Sequence, residues 1–585
     1  MNVNNLSLKR DPVVVGIIVA GIMLSCVTAL FGCSILPDYQ DKLIHLRRIA
    51  ALADTIHSGY YPARIYFAMN GDTGYAMPVF YPDMNLYLPA QAYIAGVPLS
   101  VAYSINVIVI NAITALCTYY SVKGILEIFF PEEKRPGIYA AVCTFVYQLS
   151  VYRLTNVYIR DAAGEYTAMA FLPLVIWGMV RVLGKEKNVL MDAMPLGIGM
   201  SFLVCSHILT TVMIIPFLVL AVIVFIKKAL DGGVLARIGT AILICVSLTA
   251  FFWVPMIDYM LSDDYRVDES SYIMRGFYPG WRELLEIIPS GSGSGIAYEL
   301  RMPTALGISL VSVLAVWFIH AVFRVFRSIK TKRSSVADRT FVFEALLFVM
   351  SGIALFLSSK YFPWTRIEET HGFISRILCS VQFSWRYIEI ATVTSVVLGG
   401  MELVRIARSA GKAVIPSICV LMILAVVPGI VLKVRACTEN RKAFIREGRE
   451  IGIVGDELYL PLCLNTGALE NKEPVVVGDV TVSGYEITNH KWNLAVSSGA
   501  EGGEIYLPVV YYKGYVSVTD KYENLETVQS PDGRVVVRIP GGFDGNVEMS
   551  FSEPFLWRVA EVVTFFAILI LVIFSYGPAI KAGKK

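Results

Sequence analysis

The sequence predicts a polytopic α-helical membrane protein of about twelve transmembrane helices, with a small β-rich extracytoplasmic domain ahead of the last one. Three observations predict it. Of the 585 residues, 56% are hydrophobic and only 17% charged, with a mean hydropathy of +0.61; soluble domains carry nearer a quarter charged residues. Apolar runs such as VVVGIIVAGIMLSCVTALFGCSIL (13–36) and VLAVWFIHAVF (313–323) recur along the chain. The segment 434–556 then changes character, alternating apolar and polar positions rich in β-branched and aromatic residues.

In order, the first run is too long for a signal-peptide core and lacks a small-residue cleavage site, which predicts a retained helix. Spans are expected near 13–36, 102–122, 138–154, 166–183, 189–206, 209–226, 238–258, 304–323, 340–358, 387–404, 413–433 and 557–577. The basic loops FFPEEKRPG, GKEKN, IKKALDGGVLAR, FRVFRSIKTKRSSVADR and RIARSAGK, and the terminal KAGKK, all fall inside if both termini are cytoplasmic. Residues 37–101, 154–165, 259–303, 359–386 and 434–556 then lie outside. Counting PVFYPDMNLYLPAQAYIAGVPL (78–99) as a span would break that charge pattern, so an interfacial helix pair on the outer leaflet is expected there.

The organisation is thus a transmembrane domain over 1–433, an extracytoplasmic β domain over 434–556, and a final helix with a cytoplasmic tail over 557–585. EPVVVGDVTVSGYEI, EIYLPVVYYKGYVSVTD and GRVVVRIPGG read as strands and SPDG as a turn, together predicting a small sandwich. Most of the ten cysteines lie in apolar segments; Cys437 and Cys463 belong to the exported part, and whether they pair is left open. The net charge of +3 is spread without a basic stripe, and no nucleic-acid motif, P-loop, dinucleotide fingerprint or Cys/His ligand cluster appears.

Against this apolar background, LPDYQDKLIHLRRIA (36–50) is crowded with charge just where the chain leaves the first span. Asp38 follows Pro37 and suits a helix N-cap as well as an active-site acid. Asp41, His45 and Arg48 are spaced to share one helical face; Leu43, Leu46, Ile49 and Leu52 form another, suited to lipid. The polar face suits either a solvated surface or a cavity wall. YIRDAAGEYTAM brings Arg160, Asp161 and Glu165 to an outer helix mouth, VCSHILTT puts His207 at an outer turn, and VQFSWRYIEI places Trp385 and Arg386 at another, with Glu389 a turn deeper. An interfacial belt Trp, a snorkelling Arg and a core His are the structural alternatives. Ionisable groups at membrane depth are costly, and so many on one side point to function.

The stretches DKLIHLRRIAAL, GYYPARI, GDTGYAMPVFYPDMNLYLPA, YIRDAAGEYTAMAFLPLVI, SHILTT and QFSWRYIEI resemble the YfhO family of bacterial membrane proteins. They are also similar to the related 6-pyruvoyl-tetrahydropterin-synthase-related membrane proteins, and both groups belong to the GT-C class of glycosyltransferases. The tail sequences LPVVYYKGYVSV, GRVVVRIPGG and VEMSF resemble the exported domain of the same family. The resemblance implies a GT-C-like fold and an aspartate base in the first outer loop, at Asp41, with Asp38 as the neighbouring alternative. Where many GT-C members read Asp-Glu, this chain reads Asp41-Lys42, which removes one carboxylate from a metal-binding pair, and no ligand motif supports a divalent metal. QFSWRY carries Ser384 in place of the family's more usual proline and keeps the Trp-Arg pair.

The implied activity is transfer of a sugar from a polyprenyl-phosphate-linked donor to an envelope acceptor at the outer face of a bacterial plasma membrane. Teichoic-type polymer, other wall glycan, lipid and protein are all open as that acceptor. Asp41 would take the acceptor proton and Arg160 and Arg386 would hold the phosphate. His45, Arg48, Glu165, His207 and Trp385 would orient sugar and phosphate. A transporter or lipid flippase, and a non-catalytic envelope scaffold, are the alternatives from other classes.

Overall fold

The structure, a computed structural model, describes residues 11–30, 41–184, 188–267, 274, 278–289, 302–331, 338–439, 457–520 and 523–582. Its first half is helical: α1 (Pro12–Leu30), α2 (Lys42–His57), α3 (Tyr87–Ile94), α4 (Leu99–Phe129), α5 (Pro136–Gln148), α6 (Val151–Tyr158), α7 (Ala163–Val182), α8 (Val189–Val204), α9 (Ile208–Val224), α10 (Gly232–Leu248) and α11 (Ala250–Ser262). α12 (Ile308–Thr331), α13 (Arg339–Ser358), α14 (Ile388–Ser409) and α15 (Val414–Glu439) follow, and α16 (Phe555–Ala582) closes the chain.

Among the described residues seven helices are long and apolar enough to cross a membrane, namely α4, α7, α12, α13, α14, α15 and α16. α10 and α11 add an eighth span if taken together, but they meet at 72°. α1, α8 and α9 are apolar and shorter. The expected span 138–154 is not one helix: Leu149 and Ser150 interrupt it, Ser150 standing in extended backbone at ψ 141°. The reason is a cation. Arg153, fully buried, donates to Tyr166 O at 3.0 Å, Asn111 Oδ1 at 3.1 Å and Thr114 Oγ1 at 2.7 Å, and the break turns α6 so that it reaches them. Residues 77–94 form one-turn pieces at Met77–Phe80 and Met84–Leu86 before α3.

The helices pack through small residues, as expected where lipid supplies no hydrophobic drive between them. A Cβ on Gly178 would stand 2.3 Å from Leu196 N, and one on Gly197 would stand 2.7 Å from Ile244 Cβ, so α7, α8 and α10 meet nearly backbone to backbone. α2 departs from its expected surroundings. Its Leu46, Ile49 and Leu52 are packed inside the protein, not set against lipid, because the 58–94 segment and α4 cover them.

The β domain supplies β1 (Val475–Thr488), β2 (Lys491–Val510), β3 (Tyr515–Thr519), β4 (Asn524–Leu525), β5 (Thr527–Gln529), β6 (Arg534–Ile539) and β7 (Asp544–Phe551). Where two separate layers are expected, the strands are hydrogen-bonded into one sheet that forks along β2. β1 follows one edge of β2, and the other edge pairs first with β7 and then with β6. The branches meet again where Thr527 donates to Ser517 Oγ at 2.8 Å. The SPDG turn joins β5 to β6, with Gly533 at φ 81°. Cys463 is a free thiol, and the side chain of Cys437 lies outside the described residues.

Two devices hold this domain to the helices. One is an aromatic cluster in which Tyr512 stacks on Tyr259 and Tyr265 and Tyr459 stacks on Phe80, with Trp557 edge-on to Tyr259 at 5.0 Å. The other is Arg64, 4% exposed, which meets Glu553 at 3.3 Å, Glu561 at 2.8 Å and Phe251 O at 2.9 Å. Removing one partner of a buried ion cluster strands the rest. Arg64→Ala should therefore cost about 3–5 kcal/mol, read as a lowered melting temperature and faster proteolysis at the β-domain junction; an unchanged melting temperature would rule out the clamp.

Candidate functional site

The polar residues singled out from sequence converge on Glu165, in the first turn of α7 and 1% exposed. Its Oε1 accepts from the Tyr152 hydroxyl at 2.6 Å and from Asn156 Nδ2 at 3.0 Å. Its Oε2 accepts from Arg160 Nη1 at 2.7 Å and lies 3.3 Å from Arg386 Nε. Arg160 also donates to Asn156 Oδ1 at 2.6 Å, and Arg386 to Val381 O at 2.7 Å. One carboxylate thus gathers two guanidinium groups and leaves one positive charge in excess. Burial works against the charge on Arg160, but Glu165, Tyr152 and Asp41 outweigh it and favour the ionised form beyond that of an ordinary arginine.

Asp41 occupies the N-cap position of α2 with helical backbone (φ −62°, ψ −10°), and its side chain caps no N–H. Its charge acts on Arg160 and on Tyr81, which places it at the same cluster. Asp38 lies outside the described residues. His45, 1% exposed, accepts the Ala163 N–H on Nε2 at 3.3 Å and so caps α7 from another helix. Nδ1 then carries the ring proton, and that N–H has no hydrogen-bond partner among the described residues. His207, the N-cap of α9, accepts the Thr210 N–H on Nδ1 at 3.2 Å, which leaves Nε2 as the donor. Burial first, and then the charges of Arg48 and His207, hold His45 well below the usual histidine range; burial and Arg386 take His207 to about 3. Both rings are neutral at physiological pH.

Arg48 and Trp385 sit to either side of this cluster. Arg48 lies over the Tyr81 ring at 4.1 Å and donates to Tyr81 O and Pro82 O at 3.1 and 2.8 Å. Trp385 is buried and stacks on Phe383 at 4.4 Å, the ring over which the Arg386 guanidinium stands at 5.1 Å. The stack braces the ring on which the arginine rests.

Sequence reading missed Tyr152 and Asn156, which stand one helical turn apart on α6 and hold Glu165; that i, i+4 spacing was the available signal. It missed Tyr81 as well. Glu389, in the first turn of α14, is fully buried, and its carboxyl oxygens make no well-formed hydrogen bond among the described residues. The same residues contain no group of three or more His, Cys, Asp or Glu placed to hold a metal.

No family model matches the chain. An uncharacterized protein of Lactococcus lactis subsp. cremoris (strain MG1363) is 26% identical over 228 residues, which are 38% of this chain. The match covers 34% of that relative's own length.

Chemically, the site joins the carboxylates of Asp41 and Glu165, two neutral imidazoles and two guanidinium groups where α2, α7, α9 and α14 begin. The dipoles of helices that begin here favour an anion. Gly164 lets these parts close up: a Cβ there would stand 2.8 Å from Ser206 O, 3.0 Å from the Tyr81 hydroxyl and 3.4 Å from His207 Cδ2. Gly164→Ala should displace His207 and Tyr81 and lower the melting temperature with the helical content unchanged; an unchanged melting temperature would show that this close approach is not needed.

Beside the site, Asp83 accepts from the Tyr66 hydroxyl at 3.1 Å, and burial, only partly offset by Arg48, pushes its carboxyl up to about 6. Because the folded protein holds this proton after the unfolded chain has lost it, the Asp83 contribution to stability is greatest below pH 4 and falls as pH rises to 6. The loss is on the order of 3 kcal/mol at most. Glu553, pushed up to about 7 by burial, adds a slope of the same sign at higher pH. Melting temperatures of wild type and Asp83→Asn between pH 4 and 7 isolate the Asp83 part: the variant should show the shallower fall, and equal slopes would refute it.

Proposed function

We propose that this chain is a GT-C-class membrane glycosyltransferase related to the YfhO family, which moves a sugar from a polyprenyl-phosphate carrier to an envelope acceptor at the outer face of a bacterial plasma membrane. The observation that carries this reading is the meeting of Asp41, His45, Arg160, His207 and Arg386 around the buried Glu165 carboxylate, at one end of a largely apolar helical bundle. A lipid-borne substrate can lie among such helices with its phosphate at the polar end. The far end of the bundle supports the expected orientation. Arg181, in the last turn of α7, pairs with Asp192 at 2.5 Å beside Arg237, and Arg405 near the end of α14 pairs with Glu344, as a cytoplasmic surface would require. In this reading the chain crosses twelve times with both termini inside, α5 with α6 and α10 with α11 acting as broken spans.

In the proposed reaction an acceptor hydroxyl attacks the anomeric carbon. Asp41 takes the hydroxyl proton as the new C–O bond forms. The bond from that carbon to the phosphate oxygen breaks, and the electron pair leaves with polyprenyl phosphate. Arg160 and Arg386 stabilise its growing negative charge, aided by the helix N-termini, and Glu165 fixes both guanidinium groups in advance of the reaction. The His45 Nδ1–H and the His207 Nε2–H are neutral donors to sugar or phosphate oxygens.

Purified protein in lipid nanodiscs with polyprenyl-phosphate hexoses should release polyprenyl phosphate. Asp41→Asn should lower that release by at least about 100-fold, and Arg386→Lys, which removes the planar fork, by about tenfold or more. Asp41→Asn should keep the wild-type melting temperature, and Arg386→Lys should keep the helical content while lowering the melting temperature. Release that is unaffected by Asp41→Asn would sink the assigned base. No release from folded wild type with any donor would return the chain to the flippase or scaffold reading.

A further inference from the structure

A second site lies where the far end of α2 meets the β domain. Asp54, His57 and the loop residues Asp72 to Gly74 form one wall of a cleft of about 450 Å³, and Asn489, His490, Trp492 and Tyr515 form the other. Its lining contains two carboxylates, two imidazoles, an amide and a phenol beside Phe67 and Trp492, and no lysine or arginine. That chemistry is wrong for a phosphate or another polyanion and too polar for a lipid tail. It suits a polyhydroxylated ligand, with carboxylates and amides taking hydroxyls and aromatic carbon meeting sugar C–H faces.

Two further observations single the cleft out. Tyr515 is 5% exposed, and its hydroxyl has no hydrogen-bond partner among the described residues, although it stands at the wall beside Gly74. A buried hydroxyl left so is costly unless a ligand or solvent satisfies it. The β1–β2 turn is also strained. Asn489 and His490 both take left-handed backbone, at φ 51° and 60°, in a two-residue turn where glycine is the usual second residue. His490 is kept there by Asp54, 2.7 Å from its Nε2, and by stacking on Phe67 at 4.7 Å. Asp72, across the cleft, is left-handed too, at φ 65°.

We infer that this cleft between α2 and the β domain binds a saccharide chain built of neutral or amino-bearing sugars, which presents the acceptor end to the Asp41 site. Asp54 and Asp41 lie on the same helix, thirteen residues and hence about 20 Å apart, so a chain of a few sugars held at Asp54 and Asp72 reaches along α2 to the reacting centre. The acceptor role rests on the transferase reading; the binding itself does not. A neighbouring cavity of about 350 Å³, which shares Phe67, carries Arg64, Lys491 and Arg558 and is chemically distinct.

The test uses the full chain in nanodiscs, with soluble oligomers of N-acetylglucosamine and of glucose as probes, and polyphosphate and an unstructured cationic peptide as competitors. Binding is read by saturation-transfer NMR. Oligosaccharide should bind and polyphosphate should not displace it. Tyr515→Phe should weaken binding about three- to tenfold without lowering the melting temperature, since it removes a hydroxyl with no partner to lose, and Asp72→Asn should weaken it by a similar factor. Asp41→Asn should bind saccharide as wild type does while losing transfer. The inference is overturned if no oligosaccharide binds, if neither cleft variant changes binding, or if the peptide or polyphosphate takes the site. Saccharide binding without transfer would sink the transferase reading alone; transfer without saccharide binding would sink only this cleft.

Discussion

A carboxylate with 1% exposure must be neutralised where it sits, and Glu165 imposes that condition on everything around it. Tyr152 and Asn156 reach it from α6, beyond the break at Leu149 and Ser150, and Arg386 reaches it from the turn that brings α14 beside α7. Two stretches distant in sequence, residues 152–165 and the turn that precedes α14, are thereby fixed against each other by a single charged group. Both oxygens of Glu165 are satisfied in a low-dielectric interior, so misplacing one of its partners leaves a buried charge exposed to its desolvation penalty. A site built this way is organised before any ligand arrives.

The same logic operates at the other end of α2. Arg64 holds Glu553 and Glu561, and an aromatic cluster centred on Tyr259 fills the space beneath. The β domain is accordingly seated on the helices by burial and by ion pairing together. α2 runs between the two regions, with Asp41 and His45 at one end and Asp54 and His57 at the other, and its apolar face is locked inside. That makes it a rigid strut between the cluster and the cleft.

Much of this was legible in the residues. The apolar runs of α4, α7, α12 to α16 and the alternating strands of the β domain follow from hydropathy and period, which are local properties. The SPDG turn needs only its own four residues. Asp41, Arg160, Glu165, His207 and Arg386 stood out because charge in an apolar setting is conspicuous. Tyr152 and Asn156 did not, since a tyrosine and an asparagine on an apolar helix look ordinary until the carboxylate they serve is placed beside them. The leucine face of α2 read as lipid-facing for the same reason: lipid and protein core are equally apolar, and sequence does not distinguish them.

By itself, then, the sequence determined that the chain is a membrane-type helical protein with a β domain before its last helix, and which ionisable residues are out of place in such a setting. Only the tertiary structure decided that these residues share one buried carboxylate, that Arg48 and Trp385 stand to its sides, that the 138–154 and 238–258 runs are interrupted, and that a second polar cleft forms against the β domain. The physical reason is range. Helix and strand are set by neighbours a few residues away, whereas hydrogen-bond satisfaction of a buried charge is settled by whichever side chains the whole fold brings within 3 Å.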